Sequence, residues 1–246
     1  MNAMVLNTQF PVVERICNLH LVNLVSTPGG EVCPECAKRT VSDNNREHYK
    51  HVNAMMREKH FAGSMLPKLH ENSGFKNYHT NLPAQVQVRN QVVEFAKSMT
   101  RREVSNLIMV GSTGTGKTHL SCATARTIMA KGLYARYITS EYLADEIVEA
   151  RKRDDSERNV IQRYTEYDLL ILDEYGLHDR ESWRLEKVHR VLYSRYDANK
   201  STMIVSNMTL QELRNDLGDR LWSRLNHKGL AVVTCNWADA RMGGVA

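Results

Sequence analysis

The stretch GSTGTGKTHL at residues 111–120 decides the fold. It follows the pattern G-x-x-x-x-G-K-T, with an apolar run, NLIMV, before it and a helical pattern after it. Glycines let the backbone curl until its N–H groups and the next helix N-terminus face a phosphate, and a lysine adds positive charge. The stretch therefore predicts a loop that binds nucleotide phosphates. Its predicted binding residues are Gly111, Ser112, Thr113, Gly114, Thr115, Gly116, Lys117 and Thr118.

A second element, YDLLILDEYG at residues 167–176, places Asp173 and Glu174 at the end of a buried strand. We expect Thr118 and Asp173 to hold Mg²⁺ and Glu174 to polarise an attacking water, which indicates hydrolysis rather than transfer to a second substrate. DEYG also fits the D-x-x-G pattern of GTPases. The guanine-reading N-K-x-D element is missing, however, because NKST at residues 199–202 lacks the acid. The sequence favours ATP.

From residue 83 onward, apolar runs alternate with helical patterns, which is typical of a parallel sheet covered by helices. The predicted strands are residues 106–110, 134–138, 168–173, 202–206 and 230–234. The predicted helices are residues 118–131, 141–153, 157–165, 181–199 and 211–217. This order predicts an α/β fold.

Three polar residues downstream are candidates for the same site. Asn207 ends the strand-like run TMIVSN, where its amide can contact the γ-phosphate or the attacking water. An ordinary role in the turn after the strand is the alternative. Arg220 and Arg224 lie four residues apart in LGDRLWSRL, on one face of a helix. Solvated surface charge is the alternative for both arginines.

Together these elements resemble the AAA+ ATPases and, within them, the bacterial DnaC-type helicase loaders and their phage relatives. The resemblance is carried by GSTGTGKTHL, LLILDEYG, STMIVSN, LGDRLWSRL and VVTCNWADAR. It implies a five-stranded parallel sheet in the order 5-1-4-3-2, with ATP and Mg²⁺ as ligands. It further implies catalytic roles for Asp173, Glu174, Asn207 and Arg224. Arg224 would act on the nucleotide of a neighbouring subunit, and Arg220 is the alternative.

The sequence departs from most AAA+ proteins after its last predicted strand. That strand ends at residue 234 of 246, so we expect no helical lid carrying a second sensor. Arg241 is the one nearby candidate for that role. Without a lid, an isolated subunit should hydrolyse ATP weakly, and ATP-bound subunits are expected to associate side by side.

The N-terminal part of the chain contains a candidate zinc site. Cys17 and His20 form one C-x-x-H pair, and Cys33 and Cys36 form a C-x-x-C pair. The intervening LVNLVSTPGGEV reads as a strand, a turn and a returning strand, which brings the pairs together. Four protein ligands predict a structural zinc ion, whereas buried cysteines beside a coincidental histidine are the alternative. Two further cysteines are expected to pack in the core: Cys122 and Cys235.

The segment between the two parts reads as a helix. Ser42, Asp43 or Asn44 is expected to cap it, and it should run to about residue 61. It either packs on the ATPase domain or docks into a partner. We therefore predict a zinc module at residues 1–40, a partner-binding helical segment and linker at 41–74, and an ATPase domain at 75–246.

A basic stretch, EARKRDDSERN, lies near the helix after the second predicted strand. In the initiator and loader branch of the family, this region is a two-helix insertion that lines a path for single-stranded DNA. Interspersed acids make a solvated loop the alternative. The candidate DNA-binding residues are Arg151, Lys152, Arg153 and Arg158.

The composition is compatible with this interpretation. A formal net charge of +5 is a mild basic bias, and no apolar run reaches the length of a bilayer span. We expect a cytoplasmic protein with no membrane partner. The predicted function is ATP-dependent loading of a hexameric replicative DNA helicase onto single-stranded DNA. The alternatives are a transposition helper ATPase of the IstB type and a nucleotide-dependent adaptor that hydrolyses little.

Overall fold

The computed structural model describes residues 10–176 and 182–240. Two units follow one another along these residues, and the first ends at Met55 while the second begins at Met56. Among the residues described, no helix combines the length and the apolar character needed to cross a bilayer.

The first unit contains a small antiparallel sheet. Its strands are β1 (Val12–Ile16), β2 (Asn23–Thr27) and β3 (Gly30–Val32), in the order β1-β2-β3. The β2 and β3 pairing confirms the predicted strand, turn and return, whereas β1 was not predicted. The hydroxyl of Thr27 donates to the carbonyl of Gly30 at 2.7 Å and closes the turn, where Gly30 has a φ of 119°.

A long helix, α1 (Pro34–Gly63), follows the small sheet. The sequence analysis placed its start at Ser42, Asp43 or Asn44, and this prediction is wrong because all three residues lie inside the helix. Proline suits the first turn of a helix, since its missing N–H has no partner there and its φ is already helical. The helix therefore begins beside the second cysteine pair and contains Cys36.

The second unit is built on a five-stranded parallel sheet. Its strands are β4 (Asn106–Gly111), β5 (Ala135–Thr139), β6 (Leu169–Asp173), β7 (Ser201–Val205) and β8 (Leu230–Cys235). They lie in the order β5-β6-β7-β4-β8. When the five strands are numbered 1 to 5 in chain order and read from the β8 edge, the order is 5-1-4-3-2, which confirms the prediction.

Helices cover both faces of this sheet. They are α2 (Pro83–Thr100), α3 (Lys117–Met129), α4 (Ser140–Glu149), α5 (Glu157–Glu166), α6 (Ser182–Asp197) and α7 (Leu210–His227). Leu107 and Met109 of β4 face the core formed with α2 and α3. Ile108 and Val110 face the core formed with the other four helices. Burial on both faces explains the continuous apolar runs of the strands.

Two helices differ from their predictions. The helix α2 was not predicted, although its buried residues Val88, Val92, Phe95 and Met99 recur at helical spacing. Helix α7 was predicted to end at residue 217. It continues beyond Gly218, whose φ of 68° and ψ of 162° bend the chain before the helix resumes.

One buried charge ties several elements of the second unit together. The Arg195 guanidinium on α6 is fully buried and donates to the carbonyls of Tyr164, at 2.5 Å, and Ser201. Its Nε also donates to the Thr202 hydroxyl at 3.1 Å. The side chain thus joins α6 to the end of α5 and to β7.

We expect Arg195→Ala to lower the free energy of unfolding by about 3–5 kcal/mol, because it leaves buried carbonyls without donors and opens a cavity. Arg190→Ala is the matched control, since Arg190 lies on the same helix as Arg195 and forms a partly exposed ion pair with Glu157 of α5. That change should cost about 0–1 kcal/mol in urea denaturation. Equal losses for the two variants would contradict the structural role of Arg195.

Candidate functional site

The phosphate-binding loop joins β4 to α3, as predicted, and its glycines have no space for side chains. Gly114 and Gly116 have positive φ values of 73° and 85°. A Cβ on Gly114 would lie 1.6 Å from the Asp239 carboxylate, and one on Gly116 would lie 2.7 Å from the Tyr78 ring. The tight curl of the loop therefore depends on glycine at both positions.

The loop lysine is folded onto the loop itself. Lys117 is buried, and its Nζ donates to the carbonyls of Gly111 and Ser112 at 2.7 Å each. Its charge therefore lies at the loop, where phosphate oxygens can replace the carbonyls as acceptors.

Asp173 is the most heavily hydrogen-bonded carboxylate of the site. Its Oδ2 accepts from the hydroxyls of Thr118, at 2.9 Å, and Tyr137, at 2.8 Å. Its Oδ1 accepts from the backbone N–H of Glu174 at 2.7 Å. Thr118 and Asp173, the two predicted magnesium ligands, are thus adjacent, and oxygen donors of this kind suit Mg²⁺.

Glu174 is exposed and has the left-handed φ of 53°, a conformation that costs a non-glycine residue about 1–3 kcal/mol. The Ser140 hydroxyl donates to its carbonyl at 3.2 Å. The turn directs the chain from β6 so that Glu174 lines the cavity beside the loop.

A cavity of about 270 Å³ brings most of the predicted residues together. It is lined by loop residues 113–118, by Asp173 and Glu174 from the end of β6, and by Asn207 after β7. Gly111 and Ser112 lie behind it and accept the Lys117 hydrogen bonds. The cavity thus combines phosphate-binding backbone, a candidate metal carboxylate and a candidate base.

Residues distant in sequence also support the loop. The hydroxyl of Tyr78 and the indole Nε1 of Trp237 both donate to the carbonyl of Thr115, each at 3.1 Å. The N–H of Ala240 donates to the carbonyl of Gly114 at 3.1 Å. Burial raises the pKa of Tyr78 to about 12, so its hydroxyl remains a donor at neutral pH. These roles follow from contacts between residues that are distant in sequence. In the sequence, the presence of two aromatic residues in loop segments was the signal that pointed to them.

The two candidate arginines on α7 have different surroundings. The Arg224 guanidinium stacks on two tyrosines of α6, 4.6 Å from the ring centre of Tyr193 and 5.1 Å from that of Tyr196. Arg220 is exposed. Neither lines the nucleotide cavity of its own chain. Arg241, the second-sensor candidate, lies outside the described residues.

The four predicted zinc ligands meet in the first unit. Nδ1 of His20 lies 3.8, 3.6 and 3.4 Å from the sulfurs of Cys17, Cys33 and Cys36. The sulfurs of Cys17 and Cys36 are 3.8 Å apart. Tetrahedral zinc, with Zn–S near 2.3 Å and Zn–N near 2.0–2.1 Å, requires S–S edges of about 3.8 Å and S–N edges of about 3.6 Å. The cluster fits zinc.

The cysteines of the cluster differ in pKa. Backbone hydrogen bonds at Leu19 and His20 lower the pKa of Cys17 to about 6. Desolvation and the neighbouring thiols raise the pKa of Cys36 to about 11. Zinc requires the thiolate form of each cysteine. A divalent cation would therefore supply the positive charge that keeps the sulfurs together as thiolates.

The basic stretch lies between α4 and α5, which form the expected two helices after β5. Lys152 and Arg158 are exposed. Arg153 is exposed as well but forms an ion pair with Glu149 at 2.7 Å. The side chain of Arg151 lies outside the described residues. A role in DNA binding stays a prediction.

Comparison with known proteins assigns the chain to a family. A family profile described as IstB-like ATP binding protein matches residues 43–234. This protein belongs to the IstB-like ATP-binding family. The matched segment contains the phosphate-binding loop, Asp173, Glu174, Asn207 and the two α7 arginines, whereas the zinc ligands precede it.

Relatives within this IstB-like family include proteins named for helicase loading. The replicative helicase loader DnaC of Escherichia coli K12 is 23% identical over 189 residues, which are 76% of this chain and 77% of that protein. DnaC of Buchnera aphidicola subsp. Baizongia pistaciae is 24% identical over 190 residues, with the same coverage. The uncharacterized protein YdaV of E. coli K12 is 24% identical over 184 residues, 75% of this chain and 74% of that protein.

Solved structures share the fold of this IstB-like ATP-binding chain. A crystal structure of the DnaC helicase loader has a TM-score of 0.60 and 24% identity, and the match covers 68% of this chain and 99% of that one. AMPPCP-bound DnaA from Aquifex aeolicus has a TM-score of 0.57 and 22% identity, with 69% and 51% covered. These similarities confirm the AAA+ type of α/β fold.

We expect the paired change Cys33→Ser and Cys36→Ser to remove about one zinc ion per chain and to unfold the first unit. ATP binding should persist because the second unit has its own core. Zinc content by mass spectrometry, circular dichroism and nucleotide binding measure the three effects. His48→Ser, an exposed change on α1, is the control and should retain zinc. Wild-type protein purified without chelator and free of zinc would refute the assignment.

Proposed function

We propose that the protein is an ATP-dependent loader that binds a hexameric replicative DNA helicase and helps to place it on single-stranded DNA during replication initiation. The observation that carries the proposal is the similarity to proteins named replicative helicase loader DnaC, over about three quarters of each chain. Loading a helicase requires an energy source. Membership of an ATP-binding family and the cavity beside the phosphate loop support ATP in that role.

The chain's residues divide the work of hydrolysis. Lys117 would exchange the carbonyls of Gly111 and Ser112 for phosphate oxygens, and Thr118 and Asp173 would hold Mg²⁺. Bound Mg²⁺ supplies positive charge to the β and γ phosphates. Glu174 accepts a proton from the attacking water, and Asn207 orients that water or the γ-phosphate.

A neighbouring copy completes the site. Among the described residues that line the cavity, Lys117 is the one lysine or arginine, so we infer that a guanidinium from outside the chain completes the site. We assign that role to Arg224, whose stacking on Tyr193 and Tyr196 leaves the edge of the guanidinium available for hydrogen bonds. ATP-bound copies then associate side by side, and hydrolysis is weak in an isolated subunit.

The first unit and α1 are assigned to helicase binding. Leu19 and Leu21 flank the zinc ligand His20 and are 82% and 81% exposed. Val12 and Ile16 on β1 are also exposed. Exposed apolar side chains that lie close together are typical of a protein-binding surface. Two exposed basic residues, Lys152 between α4 and α5 and Arg158 in the first turn of α5, are assigned to the DNA backbone, where they would neutralise phosphates.

A second candidate function is that of a transposition helper ATPase. The observation that favours it is the family itself, whose description is IstB-like ATP binding protein. The ATP site would work in the same way, but the partner would be a transposase and the DNA would be duplex. The identity of the protein partner separates the two functions.

Affinity capture from source cells with Glu174→Gln as bait and ATP present should enrich a hexameric replicative helicase, since this change keeps ATP bound and stalls hydrolysis. The zinc-ligand variant Cys33→Ser with Cys36→Ser should lose the helicase, whereas Arg190→Ala, on α6 of the second unit, should retain it. Mass spectrometry identifies the captured proteins. Enrichment of a transposase instead would replace the proposal with its alternative.

We expect Arg224→Ala to retain ATP affinity but to lose the ATP hydrolysis that DNA and self-association stimulate. A trans-acting arginine contributes roughly 10³- to 10⁵-fold to the rate of hydrolysis. Lys117→Ala lacks nucleotide binding but keeps its arginine, so mixing the two inactive variants should restore turnover at mixed interfaces. Arg220→Ala is the matched control on the same helix and should remain active. A mixture that co-assembles yet stays inactive, together with an inactive Arg220→Ala, would transfer the role to Arg220.

A further inference from the structure

Tyr137 on β5 touches the nucleotide site although no sequence motif includes it. Its hydroxyl donates to Oδ2 of Asp173 at 2.8 Å, the same oxygen that accepts from Thr118. Glu174 donates to the other oxygen. The carboxylate is therefore held by groups from three parts of the chain: strand β5, the start of α3 and the turn after β6.

The alternation of side chains along parallel strands explains how Tyr137 reaches Asp173. Thr139 on β5 is the register partner of Asp173, so Tyr137, two residues earlier, points to the same face of the sheet. That face packs against α3, the helix that contains Thr118. A tyrosine at this position spans the distance that a shorter side chain would leave open.

The backbone of Tyr137 is held as firmly as its hydroxyl. Its N–H donates to the carbonyl of Ser64 at 2.9 Å, and Ser64 is fully buried. The ring is thus fixed at both ends.

We propose that Tyr137 is a positioning residue that holds the Asp173 carboxylate in the orientation needed to bind Mg²⁺ with ATP. Asp173 has rotamers that would turn its oxygens away from Thr118. The Tyr137 hydrogen bond selects the rotamer in which Oδ2 lies beside Thr118 before any metal arrives. The inference rests on the proposed use of magnesium and ATP at this site.

Tyr137→Phe tests the inference because it removes one oxygen atom and keeps the ring. Outer hydrogen-bond partners of metal ligands typically contribute 10- to 100-fold to metal affinity, and we expect the low end, roughly tenfold. The measurement is binding of a fluorescent, non-hydrolysable ATP analogue to the full chain over a range of Mg²⁺ concentrations. The Mg²⁺ concentration at half-maximal response should rise roughly tenfold, while binding without Mg²⁺ stays unchanged.

Tyr142→Phe is the matched control, since Tyr142 lies near the same sheet edge and is 66% exposed. Its Mg²⁺ response should match that of wild type. A Tyr137→Phe curve that superimposes on the wild-type curve would overturn the positioning role and leave the proposed function intact. An equal loss of affinity with and without Mg²⁺ would also overturn it, because that result indicates a general packing role. Wild-type protein whose nucleotide binding ignores Mg²⁺ would instead overturn the proposed ATPase chemistry together with the inference.

Discussion

The hydrogen bond from Thr118 to Asp173 joins two strands that do not touch. Thr118 begins the helix after β4 and Asp173 ends β6, and β7 lies between those strands. Parallel strands present their carboxyl ends at one edge of a sheet, so the loop after β4 and the acid of β6 meet there. Asn207, after the intervening β7, joins the same edge. The chemistry of the site therefore depends on the strand order, which brings Thr118, Asp173 and Asn207 to one edge of the sheet.

The predictable parts of this structure are those encoded by local pattern. The three central strands of the second unit, β6, β7 and β4, are buried along their whole length and appear as apolar runs, and the phosphate loop requires glycine at fixed spacing. The start of α1 was mispredicted because Ser42, Asp43 and Asn44 are favoured at caps but also occur within helices, while Pro34 is the stronger start signal. Tyr137 escaped notice because a tyrosine in a strand is ordinary, and its partner is distant in sequence. Contacts of that kind depend on the assembled sheet.

The two units are stabilised by different physical means. Among the described side chains of the first unit, only Cys33 is buried. Three short strands without an apolar core cannot offset the entropy of folding, so a metal site has to supply the stability. The second unit, by contrast, has an apolar core on each face of its sheet and retains a buried charge, Arg195, that is satisfied mainly by carbonyls. Metal loss should therefore affect the first unit alone.

The chemistry of the ATP site is common to both candidate functions, so the choice between them depends on residues elsewhere. The family match begins at residue 43, and the four zinc ligands lie before it. A metal that replaces a core allows apolar residues to remain outside, as Leu19 and Leu21 do. Such residues are available to a partner at no expense to the fold. Under the proposed function, the zinc module that would contact the partner lies before the family match, whereas the ATP site lies within it. Under the same proposal, substitutions at Leu19 and Leu21 would act on partner binding and leave the residues of the ATP site unchanged.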